Sequence, residues 1–264
     1  MIIVFLILLA AVLIWTLWGN TALVTSQYTV PSSNIPEAFD GYRIVQVSDL
    51  HNAKFGADNE KLLRLLSSAQ PDMIAITGDL LDARTTDFET AVAFAREAVK
   101  IAPVYYVPGN HESRIPSHYA QLKIALTELG AVVLENESML LEKSGAVITL
   151  TGLLDPNFGI SWPDLSTENY QIVLSHRPEL LDTYAERSFN LVLTGHAHGG
   201  QIRIPFVGGL VAPDQGWFPG KDCGLYYSKD GEKVMILSRG LGSKGRAPRV
   251  NNVPEIVVVE LLPE

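Results

Sequence analysis

Cysteine is almost missing from this sequence. Cys223 is the only one in 264 residues, which excludes an intrachain disulfide framework. It lies in a Gly-rich stretch without a second thiol, and an ordinary small side chain is expected there rather than a nucleophile. Positive charge is scarce too: 20 Lys and Arg stand against 29 Asp and Glu, for a net charge of −9. The basic residues are scattered, so no groove for DNA or RNA is expected. Internal repeats and low-complexity tracts are absent. Long apolar runs are confined to a single place, the N-terminus.

That run, Ile2 to Trp18, reads IIVFLILLAAVLIWTLW and carries no charge. Its 17 residues reach the short end of what crosses a hydrocarbon core, and Trp15 and Trp18 suit an interfacial aromatic belt. No charged leader and no small-x-small cleavage site accompany it. The expectation is an uncleaved transmembrane anchor or signal-anchor over residues 1–19, with the membrane as partner. No Lys or Arg precedes Arg43, so the positive-inside rule assigns no side. Residues 20–40, with Pro31 and Pro36, read as a polar linker. Residues 41–264 are long enough for one large domain.

Within that domain, short apolar runs bounded by Gly, Pro, Asn or Asp read as strands. They are 43–47, 73–77, 104–107, 132–134, 139–141, 147–151, 172–174, 191–193, 202–204, 225–227, 234–237 and 256–259. Helical spacing appears at Leu62, Leu65, Leu66 and Ala69, and again at Tyr119, Leu122, Leu126 and Leu129. Residues 87–99 and 178–187 complete the helices. The first half alternates β and α and the second is mostly β. This is an α/β chain with two packed sheets and helices on their outer faces.

Five strand candidates end in polar loops: Ser48-Asp49-Leu50-His51, Gly78-Asp79-Leu80-Leu81-Asp82, Gly109-Asn110-His111-Glu112, Ser175-His176, and Gly195-His196-Ala197-His198. Ligands in α/β sheets bind beyond the carboxyl ends of strands, and five of the six histidines lie in these loops. Asp, His and an Asn carbonyl suit Mn, Fe or Zn. Asp-x-His and His-x-His place alternate side chains on one face of an extended loop. A lone His or Gly-Asp after a strand would mean little; five coincident loops mean a metal centre. His118, outside these loops, reads as a surface residue.

The five blocks, D-x-H, G-D-x-x-D, G-N-H-E, a lone H and G-H-x-H, resemble the calcineurin-like metallophosphoesterase superfamily. The strings Ser48 to Asn52 and His198 to Ile202 resemble one bacterial branch of it. That branch includes membrane-anchored phosphodiesterases and enzymes that cleave the pyrophosphate of a lipid A precursor. The resemblance implies a four-layer αββα sandwich and two divalent metal ions, manganese ahead of iron or zinc. It assigns Asp49, His51 and His198 to the first metal and Asn110, His176 and His196 to the second. Asp79 would bridge them, with a hydroxide between the metals attacking phosphorus. His111 would contact phosphate and protonate the leaving oxygen, with Asp82 orienting it. A helix cap is the alternative role for Asp82. Glu112 would support a ligating histidine.

Arg177, next to His176, is the first candidate for a bidentate contact with substrate phosphate, ahead of Arg203 and Arg239. Trp217, Phe218, Tyr226 and Tyr227 read as packing rather than as an apolar wall for a lipid. The expected activity is hydrolysis of a phosphodiester or pyrophosphate bond, in a lipid or lipid-linked substrate that the anchor would keep close. A phosphomonoesterase or nucleotide phosphoesterase is the alternative, and a non-catalytic metal-binding scaffold the third reading.

Overall fold

The computed structural model describes residues 1–163, 168–243 and 248–264, with the side chains of residues 5, 8, 11 and 12 outside the description. The strands, in chain order, begin with β1 (Val24–Ser32), β2 (Arg43–Val47), β3 (Met73–Thr77), β4 (Val104–Val107), β5 (Val132–Val133) and β6 (Glu137–Lys143). They continue with β7 (Ala146–Gly152), β8 (Gln171–Leu174), β9 (Leu191–Thr194), β10 (Arg203–Ile204) and β11 (Gly208–Gly209). The last are β12 (Val211–Ala212), β13 (Gly216–Trp217), β14 (Gly224–Tyr227), β15 (Val234–Leu237) and β16 (Glu255–Pro263). The helices are α1 (Ile2–Thr21), α2 (Glu60–Ser68), α3 (Phe88–Ala98), α4 (Asn110–Arg114), α5 (Pro116–Glu128) and α6 (Leu181–Ala185).

Two six-stranded mixed sheets carry the fold, in orders β1-β16-β2-β3-β4-β5 and β14-β15-β9-β8-β7-β6. Their inner faces meet in one apolar layer. Ile44, Met73, Val107 and Val257 of the first sheet pack with Ile148, Leu150, Ile172 and Leu193 of the second. Each such side chain contributes about 1.5–3 kcal/mol on burial. Alternate residues of the first sheet, Val45, Ile74, Ile76 and Tyr106, face the other way onto α2, α3 and α5. This inside-outside alternation follows from the period of two along a strand. Val173, Val192 and Met235 of the second sheet meet Leu181 and Tyr184 of α6. The α/β layering of helices, two mixed sheets and a helix agrees with the expected sandwich.

Local signals mark where the helices start. Pro116 opens α5, and the side chain of Asp87 caps α3 by accepting from the Thr90 N–H at 3.0 Å. The segment 178–187 divides into a 3-10 turn, Pro178–Leu180, and the short α6.

Residues 20–40 differ from expectation. Val24–Ser32 is not a linker but an edge strand, paired in parallel with Glu255–Pro263. A strand at a sheet edge needs few apolar residues and tolerates Pro31, so its polar string did not read as one.

The apolar N-terminal run forms α1, 20 residues long. Its described large side chains are exposed, Ile2 at 76% and Leu17 at 62%. Among the described residues no helix is long and apolar enough to cross a membrane, so the expectation of a transmembrane anchor is not supported. The aromatic group divides as well. Tyr226 is half-buried and donates to the Cys223 carbonyl at 3.1 Å, whereas Trp217 is 71% and Phe218 60% exposed. Packing does not account for those two.

Candidate metal centre

The polar loops after β2, β3, β4, β8 and β9 converge at one edge of the sandwich. Backbone hydrogen bonds zip them together. Asp49 N–H donates to Gly78 O at 3.1 Å, His51 N–H to Asp79 O at 2.9 Å, and Gly195 N–H to His176 O at 3.2 Å. Glu112, fully buried, holds two loops at once. Its carboxylate accepts from the N–H groups of Asp79 (3.0 Å), Leu81 (2.9 Å) and Gly109 (2.8 Å). Its partners are therefore backbone amides, not the ligating histidine expected for it. Asp49, His51, Asp79, His196 and His198 all have left-handed backbone, with φ between 46° and 72°. Such non-glycine residues cost about 1–3 kcal/mol each and concentrate at functional sites.

The side chains form two adjoining clusters. In one, His51 Nε2 lies 3.3 Å from His198 Nε2 and 3.8 Å from Asp49 Oδ1, with His198 Nε2 3.5 Å from the same oxygen. In the other, His176 Nε2 lies 3.2 Å from Asn110 Oδ1 and 3.1 Å from His196 Nδ1. Asp79 stands between, its Oδ2 3.4 Å from His51 Nε2 and 3.4 Å from His176 Nε2. Two donors about 2.0–2.2 Å from one ion, at tetrahedral or octahedral angles, lie about 3–3.5 Å apart. The spacing fits. So does satisfaction: Asp79 Oδ2 is buried without a hydrogen-bond partner among the described residues, an arrangement that is costly unless a cation meets it.

The tautomers agree. His176 Nδ1 is 2.8 Å from the Thr77 carbonyl, so Nδ1 carries the proton and Nε2 faces Asp79. His196 Nε2 lies 2.8 Å from Asp214 Oδ2 and 3.1 Å from Arg177 Nη1, and its Nδ1 faces His176. Burial pushes His51 and His198 down to about 3 and lowers His196 as well, keeping these rings neutral, as metal binding requires. Burial would lower His176 too, but the nearby charge of Asp79 outweighs it and raises it to about 10. Burial opposes ionisation of Asp79, yet the charge of His176 outweighs it and holds it well below the ordinary carboxylate range.

His111 borders this centre, its ring centroid 4.4 Å from that of His51. Its Nδ1 accepts from the Ala83 N–H at 3.0 Å, so the neutral ring carries its proton on Nε2. Asp82 Oδ1 lies 3.5 Å from that Nδ1 and also accepts from the Arg84 N–H at 2.8 Å, a turn contact rather than a helix cap. His51, Asp82 and His111 form a further group close enough to hold an ion. His51 Nε2, however, already faces Asp49, Asp79 and His198.

Residues 42–200 match the family model described as calcineurin-like phosphoesterase. The chain belongs to that family. It is a metal-dependent phosphoester hydrolase. It is 30% identical to the metallophosphoesterase YkuE of Bacillus subtilis (strain 168), over 90% of this chain and 85% of that one. It is 28% identical to the phosphodiesterase YaeI of Escherichia coli (strain K12), over 84% and 82%. The solved phosphopantetheinyl hydrolase PptH of Mycobacterium tuberculosis shares the fold, with a TM-score of 0.53, 13% identity and coverage of 86% and 98%. The family uses divalent metals, and the two clusters supply Asp and His groups able to bind them.

In this calcineurin-like centre Arg177 is buried and committed to carboxylates. Its Nε and Nη2 donate to Asp155 at 2.5 and 3.2 Å. Its Nη1 donates to Glu179 at 3.3 Å and to Asp214. The guanidinium buttresses His196 rather than offering a vacant fork to phosphate. Arg203 is likewise paired, with Asp222 at 3.1 Å, and Arg239 with Glu255 at 2.5 Å. His118 is exposed, as expected. Sequence reading missed Asp155 and Asp214. Asp214 sits in the turn between β12 and β13, in a Pro-Asp-Gln-Gly string that signals only a turn.

Proposed function

We propose that the chain is a two-cation phosphodiesterase that cleaves a phosphodiester or pyrophosphate bond of a lipid or lipid-linked substrate. The observation that carries this reading is the position of Asp79 Oδ2, buried, unpartnered among the described residues, and 3.4 Å from a histidine of each cluster. Asp49, His51 and His198 would hold one cation, Asn110, His176 and His196 the other, with Asp79 shared. When bound, the pair would supply a water of lowered pKa and offset charge on the phosphate oxygens. Mixed nitrogen and oxygen donors accept several metals, and manganese is proposed ahead of iron or zinc.

His111, once protonated on both ring nitrogens, would give the Nε2 proton to the leaving oxygen and return to a neutral ring that keeps its Nδ1 proton on the side of Asp82 Oδ1, 3.5 Å away. Burial lowers its pKa, while the charges of Asp79 and Asp82 pull it back up. Asp82, close to Nδ1, would stabilise the ring when it is charged. Glu112 would keep the Asp79 and Asn110 loops in register through the three amides it accepts.

The diester preference draws support from the similarity to YaeI, which is called a phosphodiesterase. The lipid preference draws on α1, whose exposed and uncharged sides suit an apolar phase better than water. We read α1 as holding the domain at a membrane. Nucleic acid is not proposed, since the net charge is −9.

The test is hydrolysis of a chromogenic phosphodiester and its matching monoester by the full chain, stripped of metal and refilled with Mn. Metal-dependent diester cleavage is expected. Activity on the monoester alone would replace the proposal with a phosphatase. Two bound cations without either activity would make the chain a scaffold.

A further inference from the structure

A guanidinium can grip phosphate oxygens beside bound cations, but the arginine beside His176 is spent on carboxylates. The cavity over the metal centre, about 150 Å³, offers another. It is lined by Asp79, Asn110, His111, His198, Arg114 and Asp214, among others. Arg114 ends α4, three residues after His111, and residues three apart share a helix face. Its side chain is exposed and makes no ion pair among the described residues. It is therefore a guanidinium at the mouth with its planar donor fork available, the geometry that grips phosphate oxygens.

Asp214 lines the same cavity with the opposite charge. Its side chain is 55% exposed, and it stands at φ 57° on a two-strand turn. Among the described residues only its Oδ2 is engaged, by His196 Nε2 at 2.8 Å and by Arg177 Nη1. Among the described residues Oδ1 has no hydrogen-bond partner. Arg177 does not neutralise this carboxylate on its own, because Asp155 and Glu179 share the same guanidinium. A doubly charged phosphomonoester would meet one more repulsion at this mouth than a singly charged diester. Like charges a few ångströms apart in a partly desolvated cleft still interact strongly.

We propose that Arg114 binds a non-bridging oxygen of the substrate phosphate, and that Asp214, lining the same mouth, selects singly charged phosphodiesters over doubly charged monoesters. This rests on the phosphodiesterase reading above and names the groups that set its selectivity.

The test uses the full chain loaded with Mn, and the variants Arg114→Ala, Arg114→Lys and Asp214→Asn. It reads bound Mn by elemental analysis, inorganic phosphate affinity by calorimetry, and kcat/KM on the diester and monoester. Arg114→Ala should weaken phosphate at least tenfold and lower kcat/KM on both esters, with Mn retained and part of the loss recovered in Arg114→Lys. Asp214→Asn should raise the monoester-to-diester ratio of kcat/KM at least tenfold. Unchanged phosphate affinity in Arg114→Ala, or loss of Mn with it, would overturn the binding role. An unchanged ratio in Asp214→Asn, or an equal fall on both esters with loss of Mn, would overturn the selectivity. If the parent chain cleaves neither ester, the phosphodiesterase reading and the selectivity built on it both fall, while phosphate affinity still decides Arg114.

Discussion

A Cβ added to Gly109 would lie 2.2 Å from Oδ1 of Asp79. The backbone there has φ −100°, which any residue adopts, so the constraint is space and not conformation. The loop after β4 passes this close because Asp79 Oδ1 accepts the His111 N–H at 2.8 Å. Gly109→Ala must therefore displace the carboxylate that stands between the two clusters. It should weaken cation binding at least tenfold and destabilise the metal-free chain by about 1–3 kcal/mol. Metal content after dialysis and the thermal midpoint of the apo protein check both. Full cation binding in the variant would show that the carboxylate tolerates displacement.

His111→Ala separates the proton donor from the metal ligands. If His111 acts at the leaving oxygen, the variant keeps its cations and loses about 10²–10⁴ in kcat. Elemental analysis beside steady-state kinetics measures the two together. Loss of a cation would instead assign His111 to the alternative group with His51 and Asp82.

Much of this centre is legible in the sequence. The strands at 43–47, 73–77, 104–107 and 234–237 appear at the expected residues, because a buried strand is written as a short apolar run ended by turn residues. The loops after β2, β3, β4, β8 and β9 then bring Asp49, His51, Asp79, Asn110, His111, His176, His196 and His198 together, since parallel strands put their carboxyl ends on one edge.

What was not legible has a common physical cause. The strand Val24–Ser32 is an edge and needs no apolar signature. Asp214 and Asp155 act through tertiary contact with Arg177, which no spacing records. The left-handed backbone at Asp49, His51, Asp79, His196 and His198 is imposed by the converging loops, because propensity alone would place glycine or asparagine there. Arg177 looked vacant because its three carboxylate partners are distant or unremarkable in sequence.

Cys223 offers a check away from the metal centre. Burial pushes its thiol up to about 12, so at pH 8 the folded chain holds less of the reactive thiolate than an ordinary cysteine would. Alkylation of the native protein should run at least tenfold slower than that of the chain unfolded in urea, with mass spectrometry counting the label. Equal rates in the two states would mean an exposed, reactive thiol and reopen a chemical role for it.

Asp79 is proposed to join two cation sites into one centre. Equilibrium dialysis of the full chain against Mn, with the metal counted per chain for the parent protein and for Asp79→Asn, tests it most directly. Two Mn in the parent and less than one in the variant is the expected result. A single Mn in the parent, or two retained by Asp79→Asn, would contradict it.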